Sequence, residues 1–396
     1  MNKRVLVVNK FFYNRGGAEV VAIAMCQALR EMGYSVAVFT MDFKENFKNE
    51  ECYVASNVSF NTGVVEKIRF AGRTLGRGNV KTDFLKALNE FKPDIVHFHN
   101  IHSYLSPAIV KVAKDFGCRV VWTLHDYKLL CPSYACLRDN KPCELCFKDK
   151  INVIKNRCMK GSLAASALAY IEAKRWSRDW IQRCVDAFVC PSSFMAKKME
   201  QGGFDKSKLH VICNFIDPVK CEILKGGKQQ LREDIYVYVG RLSQEKGVKT
   251  LLDVASRLPY KLYVAGDGPL ADELKYKYAG CQQIVFLGRQ SAQQVSELLA
   301  KSHFTVAPSE CYENNPLSVI ESLCAGTPVV GANIGGIPEL IEERWGYVYE
   351  SGNSEQLAAV IRMTFEKKFN NEEIAKAALC RFSSEHHISL LEKLYQ

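Results

Sequence analysis

Two carboxylates that could bind hydroxyl groups, Glu313 and Glu321, lie in the segment from 308 to 330 with seven residues between them. The segment reads as a strand end, a polar loop, a helix and a further strand after Gly326. Asn315 is a good N-cap and Pro316 suits the first helical position, and the N–H groups of a helix that begins there suit a diphosphate. Because carboxylates repel phosphate, we expect the two acids to hold hydroxyls of a sugar and a ribose. The alternative is a surface helix with two unrelated acids.

Two basic residues, Arg241 and Lys246, follow another short apolar run and lie five positions apart. Fixed cations beside a helix end can neutralise the charge that builds on a departing diphosphate, and this chemistry requires no metal ion. The segment therefore predicts a phosphate-binding loop. A charged turn between a strand and a helix is the alternative.

The two acids, the preceding Pro308-Ser309 and the run Ala-Gly-Thr-Pro-Val-Val at 325–330 resemble the signature of glycosyltransferase family 4. The resemblance implies the GT-B fold, an α/β architecture in which two Rossmann-like domains with doubly wound parallel sheets face each other across a cleft. It also implies a retaining, metal-independent hexosyltransferase that needs no cofactor. Its donor would be a UDP- or GDP-sugar, and its acceptor a glycan such as a lipid-linked or polysaccharide precursor.

The resemblance also assigns roles to the charged residues. Glu313 would hold hydroxyls of the transferred sugar, and Glu321 would bind the ribose of the nucleotide. Arg241 and Lys246 would stabilise the leaving diphosphate. Family members often have Phe-Gly where this chain has Asn315 followed by proline, which has no N–H group.

Several other positions are predicted to contact the donor. Because of that proline, the amide of Leu317 and the side chain of Asn315 would have to bind the phosphates. Gly266 lies in a sharp turn, and Leu287 ends a strand where similar enzymes place the nucleobase. Either of these last two segments also suits an ordinary turn.

In the amino-terminal half, Gly16 and Gly17 follow the first strand and open the first helix, and glycine allows close approach of a ligand. The resemblance places this loop against the donor phosphates and the acceptor; a tight turn without a ligand is the alternative. His125 follows a strand where family members carry a histidine that faces the transferred sugar. His99 and Asn100 end another strand and are candidates for the acceptor side. A structural histidine at a strand end is the alternative for His125.

The elements that must position these residues follow from short apolar runs with helical segments between them. Strands alternating with helices predict parallel, doubly wound sheets, and two such sets predict two domains. The predicted domains are 1–195 for the acceptor side and 196–376 for the nucleotide-sugar side, with a helix at 377–396 that returns to the first domain. The predicted strands are Val5–Val8, Val36–Phe39, Ile95–Phe98, Val120–Leu124, Ala187–Cys190, Ile235–Val239, Leu262–Ala265, Ile284–Leu287, Phe304–Ala307 and Pro328–Val330.

The sequence contains 16 cysteines, several of them clustered between 131 and 158. Cys143 and Cys146 form a CxxC pair, which in a reducing compartment suits a metal ion better than a disulfide. One hypothesis is a structural zinc site formed by Cys131, Cys143, Cys146 and Cys158. Buried free thiols and redox chemistry are the alternatives.

Composition bounds the remaining possibilities. The chain is an ordinary globular sequence, and we expect it in the cytoplasm because it has neither a signal peptide nor a membrane-spanning run.

Its net charge is +10, and residues 1–190 carry the whole surplus, with 29 Lys and Arg against 18 Asp and Glu. This basic half predicts peripheral contact with an anionic membrane at its inner face, and no nucleic acid partner; a solvated basic face is the alternative. The candidate membrane residues are Lys67, Arg69, Arg73, Arg77, Lys81 and the segment 174–180.

Two other functions suit the same fold. A nucleotide-sugar epimerase would need acid and base carboxylates and no acceptor. An inactive subunit would bind the nucleotide-sugar without turnover.

Overall fold

The computed structural model of the protein describes residues 3–48, 51–58, 63–226 and 232–396. The chain divides into two compact units. The first unit contains Met1–Cys136, Cys143–Cys213 and His387–Gln396. The second unit contains Leu137–Pro142 and Asn214–His386.

The first unit is built on a seven-stranded parallel sheet with the order β3-β2-β1-β4-β5-β8-β9. The strands at Ile95–Phe98 and Ala187–Cys190 are buried along their whole length and, apart from His97, apolar, as expected for a parallel sheet that is covered on both faces. Its strands are β1 (Arg4–Val8), β2 (Ser35–Met41), β3 (Cys52–Ala55), β4 (Ile95–Phe98), β5 (Arg119–Thr123), β8 (Ala187–Cys190) and β9 (Leu209–Val211). Its helices are α1 (Gly17–Glu31), α2 (Val64–Thr74), α3 (Val80–Phe91), α4 (Ala108–Asp115), α5 (Leu145–Lys148), α6 (Asn152–Lys155), α7 (Leu163–Arg175), α8 (Arg178–Cys184) and α9 (Ser193–Gln201).

The second unit is built on a six-stranded parallel sheet with the order β12-β11-β10-β13-β14-β15. A two-stranded hairpin, β6 (Leu137–Arg138) and β7 (Lys141–Pro142), is grouped with this unit. The strands of the sheet are β10 (Glu233–Val239), β11 (Lys261–Ala265), β12 (Ile284–Gly288), β13 (Ser302–Ala307), β14 (Val329–Ala332) and β15 (Gly346–Tyr349). The helices are α10 (Pro218–Gly226), α11 (Val248–Ala255), α12 (Ala271–Lys277), α13 (Ala292–Lys301), α14 (Leu317–Cys324), α15 (Ser354–Glu366), α16 (Asn371–Arg381) and α17 (Ser384–Tyr395), of which α17 ends in the first unit.

Every apolar run predicted to be a strand overlaps a strand of the structure. The sequence did not indicate the short hairpin strands β6 and β7, nor β3, β9 and β15, each of which forms an edge of a larger sheet. Because an edge strand is covered less completely, it needs no continuous apolar run. Among the described residues, no helix combines the length and the apolarity that crossing a membrane requires.

The ends of the units differ from the predicted boundaries at 195 and 377. The first unit continues to Cys213 because β9 pairs with β8. The carboxyl-terminal helical pattern forms two helices, α16 and α17, and residues 387–396 belong to the first unit. There, Nζ of Lys3 donates a hydrogen bond of 2.8 Å to the main-chain oxygen of Tyr395.

Candidate functional site

The strand order of the second sheet reverses between β10 and β13, which are neighbours although two strands separate them in the chain. Ligands of open α/β sheets bind at such a switch point, beyond the carboxyl ends of the strands. The loops that follow β10 and β13 touch here, since the N–H of Glu310 donates to the main-chain oxygen of Glu245 at 2.9 Å. Gly247, with φ of 66°, makes the approach possible, because a Cβ atom there would lie 1.8 Å from the oxygen of Pro308.

Lys246 and Glu313 meet at this switch point. Nζ of Lys246 lies 2.5 Å from Oε1 of Glu313, and the hydroxyl of Ser309 donates to the same oxygen at 2.6 Å. Burial lowers the pKa of Lys246, but the Glu313 carboxylate opposes this effect and the net pKa is raised. Lys246 is therefore a fixed cation. No hydrogen bond to Oε2 of Glu313 occurs within the described residues, so this oxygen can accept one from a ligand hydroxyl.

The main chain of Glu313 is held by two glycines. The N–H of Gly336 donates to the oxygen of Glu313 at 2.7 Å. Gly335 has φ of 61°, and a Cβ atom there would lie 2.1 Å from that same oxygen. The carboxylate therefore projects from a loop whose position tolerates little change.

Glu321 lies on α14, and its Oε1 is 2.5 Å from Nζ of Lys220 on α10. Both side chains are mostly buried. Lys220 follows the turn at Asp217-Pro218 and could not be predicted as a site residue, because nothing in its own segment points to Glu321. The structure forms no direct bond between this pair and the Lys246–Glu313 pair within the described residues.

The prediction that Asn315 caps α14 is wrong. The helix begins at Leu317, and Pro316 occupies the cap position without a side-chain hydrogen bond. Oδ1 of Asn315 instead accepts a hydrogen bond of 3.0 Å from the N–H of Asn214, whose side chain donates to the main-chain oxygen of Asn315 at 2.9 Å. The Asn315 side chain thus connects the segment at Asn214 to the start of α14. Because no side chain caps the helix, the amide of Leu317 is left for a ligand.

Arg241, Gly266 and Leu287 lie at the ends of the neighbouring strands β10, β11 and β12. Arg241 is exposed and forms no ion pair within the described part of the chain. Gly266, with φ of 147°, packs directly on Gly240, since a Cβ atom there would lie 1.8 Å from the oxygen of Gly240. The N–H of Gly266 also donates to the main-chain oxygen of Gly288 at 2.8 Å. The ends of β10, β11 and β12 are therefore in direct backbone contact.

In the first unit, the strand order reverses between β1 and β4. Gly16 and Gly17 lie beyond β1, at the start of α1. Beside them, the buried carboxyl of Glu19 has a pKa raised by burial, which the charge of Lys10 opposes. The main-chain N–H of Lys10 donates to the oxygen of Asn100 at 2.9 Å, which joins the ends of β1 and β4.

His99 and His125 form a stacked pair beyond β4 and β5. Nδ1 of His99 lies 2.8 Å from Nε2 of His125, and the ring centroids are 5.1 Å apart. His97 also stacks on His99, with the ring centroids 4.8 Å apart. Burial lowers the pKa of His97 and of His125 to about 3, so both rings are neutral near pH 7. His125 can therefore act as a neutral hydrogen-bonding group through its other ring nitrogen, Nδ1.

The described residues give no support to the predicted zinc site, which stays a prediction. None of the 16 cysteines is in a disulfide, and within the described ranges no group of three or more His, Cys, Asp or Glu side chains is placed to hold a metal ion. Hydrogen bonds from Cys136 and Cys146 lower the pKa of Cys131. Cys143, a member of the predicted set, instead donates its main-chain N–H to Cys136 at 2.8 Å. Cys136 is thus a member of the cluster that the CxxC spacing did not indicate.

Two of the predicted membrane residues are buried. Arg73 donates to the main-chain oxygen and the hydroxyl of Ser56 at 3.2 and 2.9 Å. Trp176 donates from its indole nitrogen to the oxygen of Thr74 at 2.8 Å. These two side chains stabilise the fold and are not available to a membrane surface, whereas Lys67 and Arg69 are exposed.

Comparison with known proteins connects both units to one group of enzymes. The family described as "Glycosyltransferase Family 4" matches residues 15–220, and "Glycosyl transferases group 1" matches residues 221–379. Sulfoquinovosyl transferase SQD2 of Arabidopsis thaliana is 25% identical over 365 residues, which are 88% of this chain and 64% of the plant protein. Glycogen synthase of Mycobacterium tuberculosis is 30% identical over 220 residues, 52% of each chain. This chain thus spans less than two thirds of the length of either relative.

Solved structures share the fold. Sucrose-phosphate synthase from Thermosynechococcus elongatus superimposes with a TM-score of 0.72 at 15% identity and covers 100% of this chain and 98% of its own. HepE of Anabaena, crystallised with UDP, gives a TM-score of 0.69 at 18% identity with 99% of both chains covered. The two parallel-sheet units are therefore those of GT-B enzymes.

Proposed function

Because the chain belongs to glycosyltransferase family 4, we propose that it transfers a sugar from a nucleoside-diphosphate donor to an acceptor hydroxyl. UDP- and GDP-sugars are the favoured donors, and HepE, a structural neighbour, was crystallised with UDP-glucose as well as UDP. The observation that carries the proposal is the Lys246–Glu313 pair at the switch point of the second sheet.

The pairing of each acid with a lysine explains how carboxylates can lie beside a diphosphate. Lys246 neutralises Glu313, and Lys220 neutralises Glu321, so neither acid repels phosphate as a bare anion would. In both pairs the lysine is bonded to Oε1, and the described residues give Oε2 no hydrogen bond. We assign Oε2 of Glu313 to hydroxyls of the transferred sugar and Oε2 of Glu321 to the ribose.

The cations and the helix start bind the leaving diphosphate in this scheme. Lys246 is held in place by Glu313, while exposed Arg241 is positioned at the end of β10 to reach a ligand. The amide of Leu317 adds a main-chain donor. Together they supply the positive charge that makes a catalytic metal ion unnecessary.

Transfer with retention then needs no protein nucleophile. The bond from the anomeric carbon to the phosphate oxygen breaks, and the acceptor oxygen bonds to that carbon from the same face. The acceptor proton passes to the departing phosphate oxygen. His125 assists as a neutral donor or acceptor to a sugar hydroxyl through Nδ1, because Nε2 is bonded to His99.

A thermal stabilisation screen with UDP-, GDP- and ADP-sugars tests the donor. A cognate nucleotide-sugar at high saturation stabilises a protein by about 2–4 kcal/mol. The protein and the nucleotide-sugar that stabilises it are then incubated with candidate acceptors, and the products are analysed. A new glycoside supports the transferase, an epimerised donor would support the epimerase, and binding without any turnover would support an inactive subunit.

We also propose that α2 makes peripheral contact with an anionic membrane. Three large apolar side chains lie on its surface, with exposed fractions of 73% for Val64, 62% for Val65 and 67% for Ile68. Lys67 and Arg69 lie between and beside them. An exposed apolar stripe flanked by cations suits the interface of an anionic bilayer.

Flotation with vesicles that contain anionic phosphatidylglycerol tests this contact. The wild-type protein should float at low salt, and Val65→Ser combined with Ile68→Ser should abolish flotation. Leu163→Ser on α7, where Leu163 is also exposed, serves as the matched control. Equal flotation of the α2 variant and the wild type would rule out α2 as the contact.

A further inference from the structure

A cavity in the first unit has no role in the scheme above. It has a volume of about 120 Å³, enough for several water molecules or one small polyatomic group. Its apolar wall is formed by Phe147, Trp176 and Phe204. Its polar wall combines three cations with one carboxylate, namely Lys128, Lys150, Arg178 and Glu172.

The carboxylate of the cavity is already neutralised. Oε2 of Glu172 lies 2.9 Å from Nζ of Lys128, and the two side chains are 4% and 9% exposed. Oε1 of Glu172 accepts hydrogen bonds of 3.0 and 3.2 Å from the N–H and the hydroxyl of Ser103. Both carboxylate oxygens of Glu172 thus have partners, and Lys128 neutralises its charge. The net charge of the side chains that line the cavity is therefore positive.

Lys150 contributes much of that positive charge. Its Nζ donates to the main-chain oxygens of Leu129, at 3.3 Å, and of Leu130. Burial lowers its pKa, an effect that the electrostatic interaction with Cys146, Cys131 and Cys136 opposes only in part. No carboxylate lies within ion-pair distance of Lys150 in the part of the chain that is described. Because a buried cation held mainly by carbonyl groups is costly, an anionic ligand would lower its free energy.

Arg178 completes the charged wall near the surface. Its side chain is about half exposed and packs over Gly203, and it donates to the oxygen of Gly202 at 3.3 Å. Arg178 pairs at 2.9 Å with Asp179, which is largely exposed and so neutralises it weakly. The guanidinium can therefore still bind an anion that enters from the solvent.

The cavity adjoins the polar group at the ends of β4 and β5. His102, which follows β4, lines the cavity and is neutral, since burial lowers its pKa and the charges of Lys128 and Lys10 lower it further. Lys10 in turn lies close enough to Asp126, the neighbour of His125, to oppose the effect of burial on the pKa of Asp126. His102 and Lys128 both line the cavity and follow β4 and β5, as His99 and His125 do, so a ligand in the cavity would lie at the same end of this sheet as His125.

We infer that this cavity binds an oxyanion substituent of the acceptor, such as a phosphate or carboxylate group, through Lys150 and Arg178. The inference rests on the proposed transferase function, because it assigns the ligand to the acceptor. The apolar wall then contacts the carbon skeleton next to the anionic group. The acceptor is accordingly an acidic or phosphorylated glycan or lipid-linked sugar.

Isothermal titration tests the cavity with three probes, namely inorganic phosphate, glucose 1-phosphate and glucose. Each titration is done with saturating UDP, so that the donor residues are occupied. Glucose 1-phosphate should bind more tightly than inorganic phosphate, and glucose should bind weakest. Lys150→Gln and Arg178→Gln should each weaken sugar-phosphate binding by about tenfold or more, as expected for the loss of one charge-assisted hydrogen bond.

Lys148→Gln on α5 is the matched control, because Lys148 is exposed and outside the cavity. The side chain of Arg178 lies near the surface, so the Arg178→Gln variant still tests the cavity if the Lys150→Gln variant does not fold. Unchanged affinity in both variants, or equal affinity for inorganic phosphate and the sugar phosphate, would overturn the acceptor assignment. Absence of UDP binding would count against the donor proposal alone, because the difference between the variants and the control can still be measured without nucleotide.

Discussion

Acid should destabilise the first unit through its buried histidines. His97 is hydrogen-bonded at 2.7 Å to both the Tyr395 hydroxyl and Thr123 Oγ1, and His125 is bonded to His99. Burial lowers the pKa of His97 and of His125 from 6.5 to about 3. In the unfolded chain both rings take up protons below pH 6.5, whereas the folded protein resists protonation down to about pH 3. Stability is therefore full above pH 6.5 and falls as the pH falls through this window.

The size of the loss follows from the same values. At about pH 5, some 1.5 pH units below 6.5, each histidine costs about 2 kcal/mol of unfolding free energy, and the two together cost about 4 kcal/mol. Asp126 and Glu19 act in the opposite sense, because burial raises the pKa of each and the folded state then takes up their protons more readily. The contribution of the histidines must therefore be isolated by substitution.

Urea unfolding followed by tryptophan fluorescence measures this contribution, because three of the four tryptophans, at positions 122, 176 and 180, belong to the first unit. The difference in unfolding free energy between about pH 7.5 and about pH 5 should shrink by about 2 kcal/mol in His97→Gln and again in His125→Gln. The substitution of exposed His386→Gln controls for the loss of an imidazole as such. If both variants keep the wild-type pH difference, the rings are protonated in the folded protein and the reasoning fails.

Three further predictions concern the second unit. Glu321→Gln should weaken nucleotide binding by about tenfold in calorimetry, with loss of a charge-assisted ribose contact; unchanged affinity would refute the ribose role. Arg241→Ala should lower kcat by about two orders of magnitude or more with little change in donor KM, and a change in KM alone would show that the cation binds the ground state equally well. Gly266→Ala should destabilise the unit by about 3 kcal/mol or more in chemical denaturation, because its Cβ atom would overlap the oxygen of Gly240; wild-type stability would contradict the close packing of these strand ends.

The interior strands could be read from the sequence because a covered parallel sheet requires continuous apolar runs. Val5–Val8 and Ile95–Phe98 are examples, and both are buried throughout. The edge strands β3, β9 and β15 could not be predicted because their burial is incomplete, as in Cys52–Ala55, where only the last residue is buried. The edge strand β12 was predicted because Ile284–Leu287 is a continuous apolar run. The unit boundary was displaced for the same reason, since β9 is such an edge strand.

The charged residues of the candidate site could be predicted, but their partners could not. Glu313 and Glu321 stand out by their spacing and their flanking motif. Lys220 bonds to Glu321 across 101 positions of sequence, and Asn214 bonds to Asn315 across the same separation. Such pairs depend on where the fold places α10 and the loop before it relative to α14, which no local pattern specifies. The cysteines show the same limit, because Cys136 lies outside the CxxC spacing and still bonds to Cys131.

The lysine partners that the sequence did not reveal also strengthen the proposed chemistry. A bare carboxylate next to a diphosphate would oppose donor binding, and a bare lysine could bind any phosphate without regard to the sugar. A carboxylate with a lysine on one oxygen has lost most of its repulsion for phosphate but keeps its second oxygen for a hydroxyl. Glu313 and Glu321 both have this arrangement. In the proposed scheme Glu313 meets hydroxyls of the transferred sugar, which a free nucleotide lacks, whereas Glu321 meets the ribose that both ligands share. We therefore expect Glu313 to be the acid that distinguishes a nucleotide-sugar from a free nucleotide.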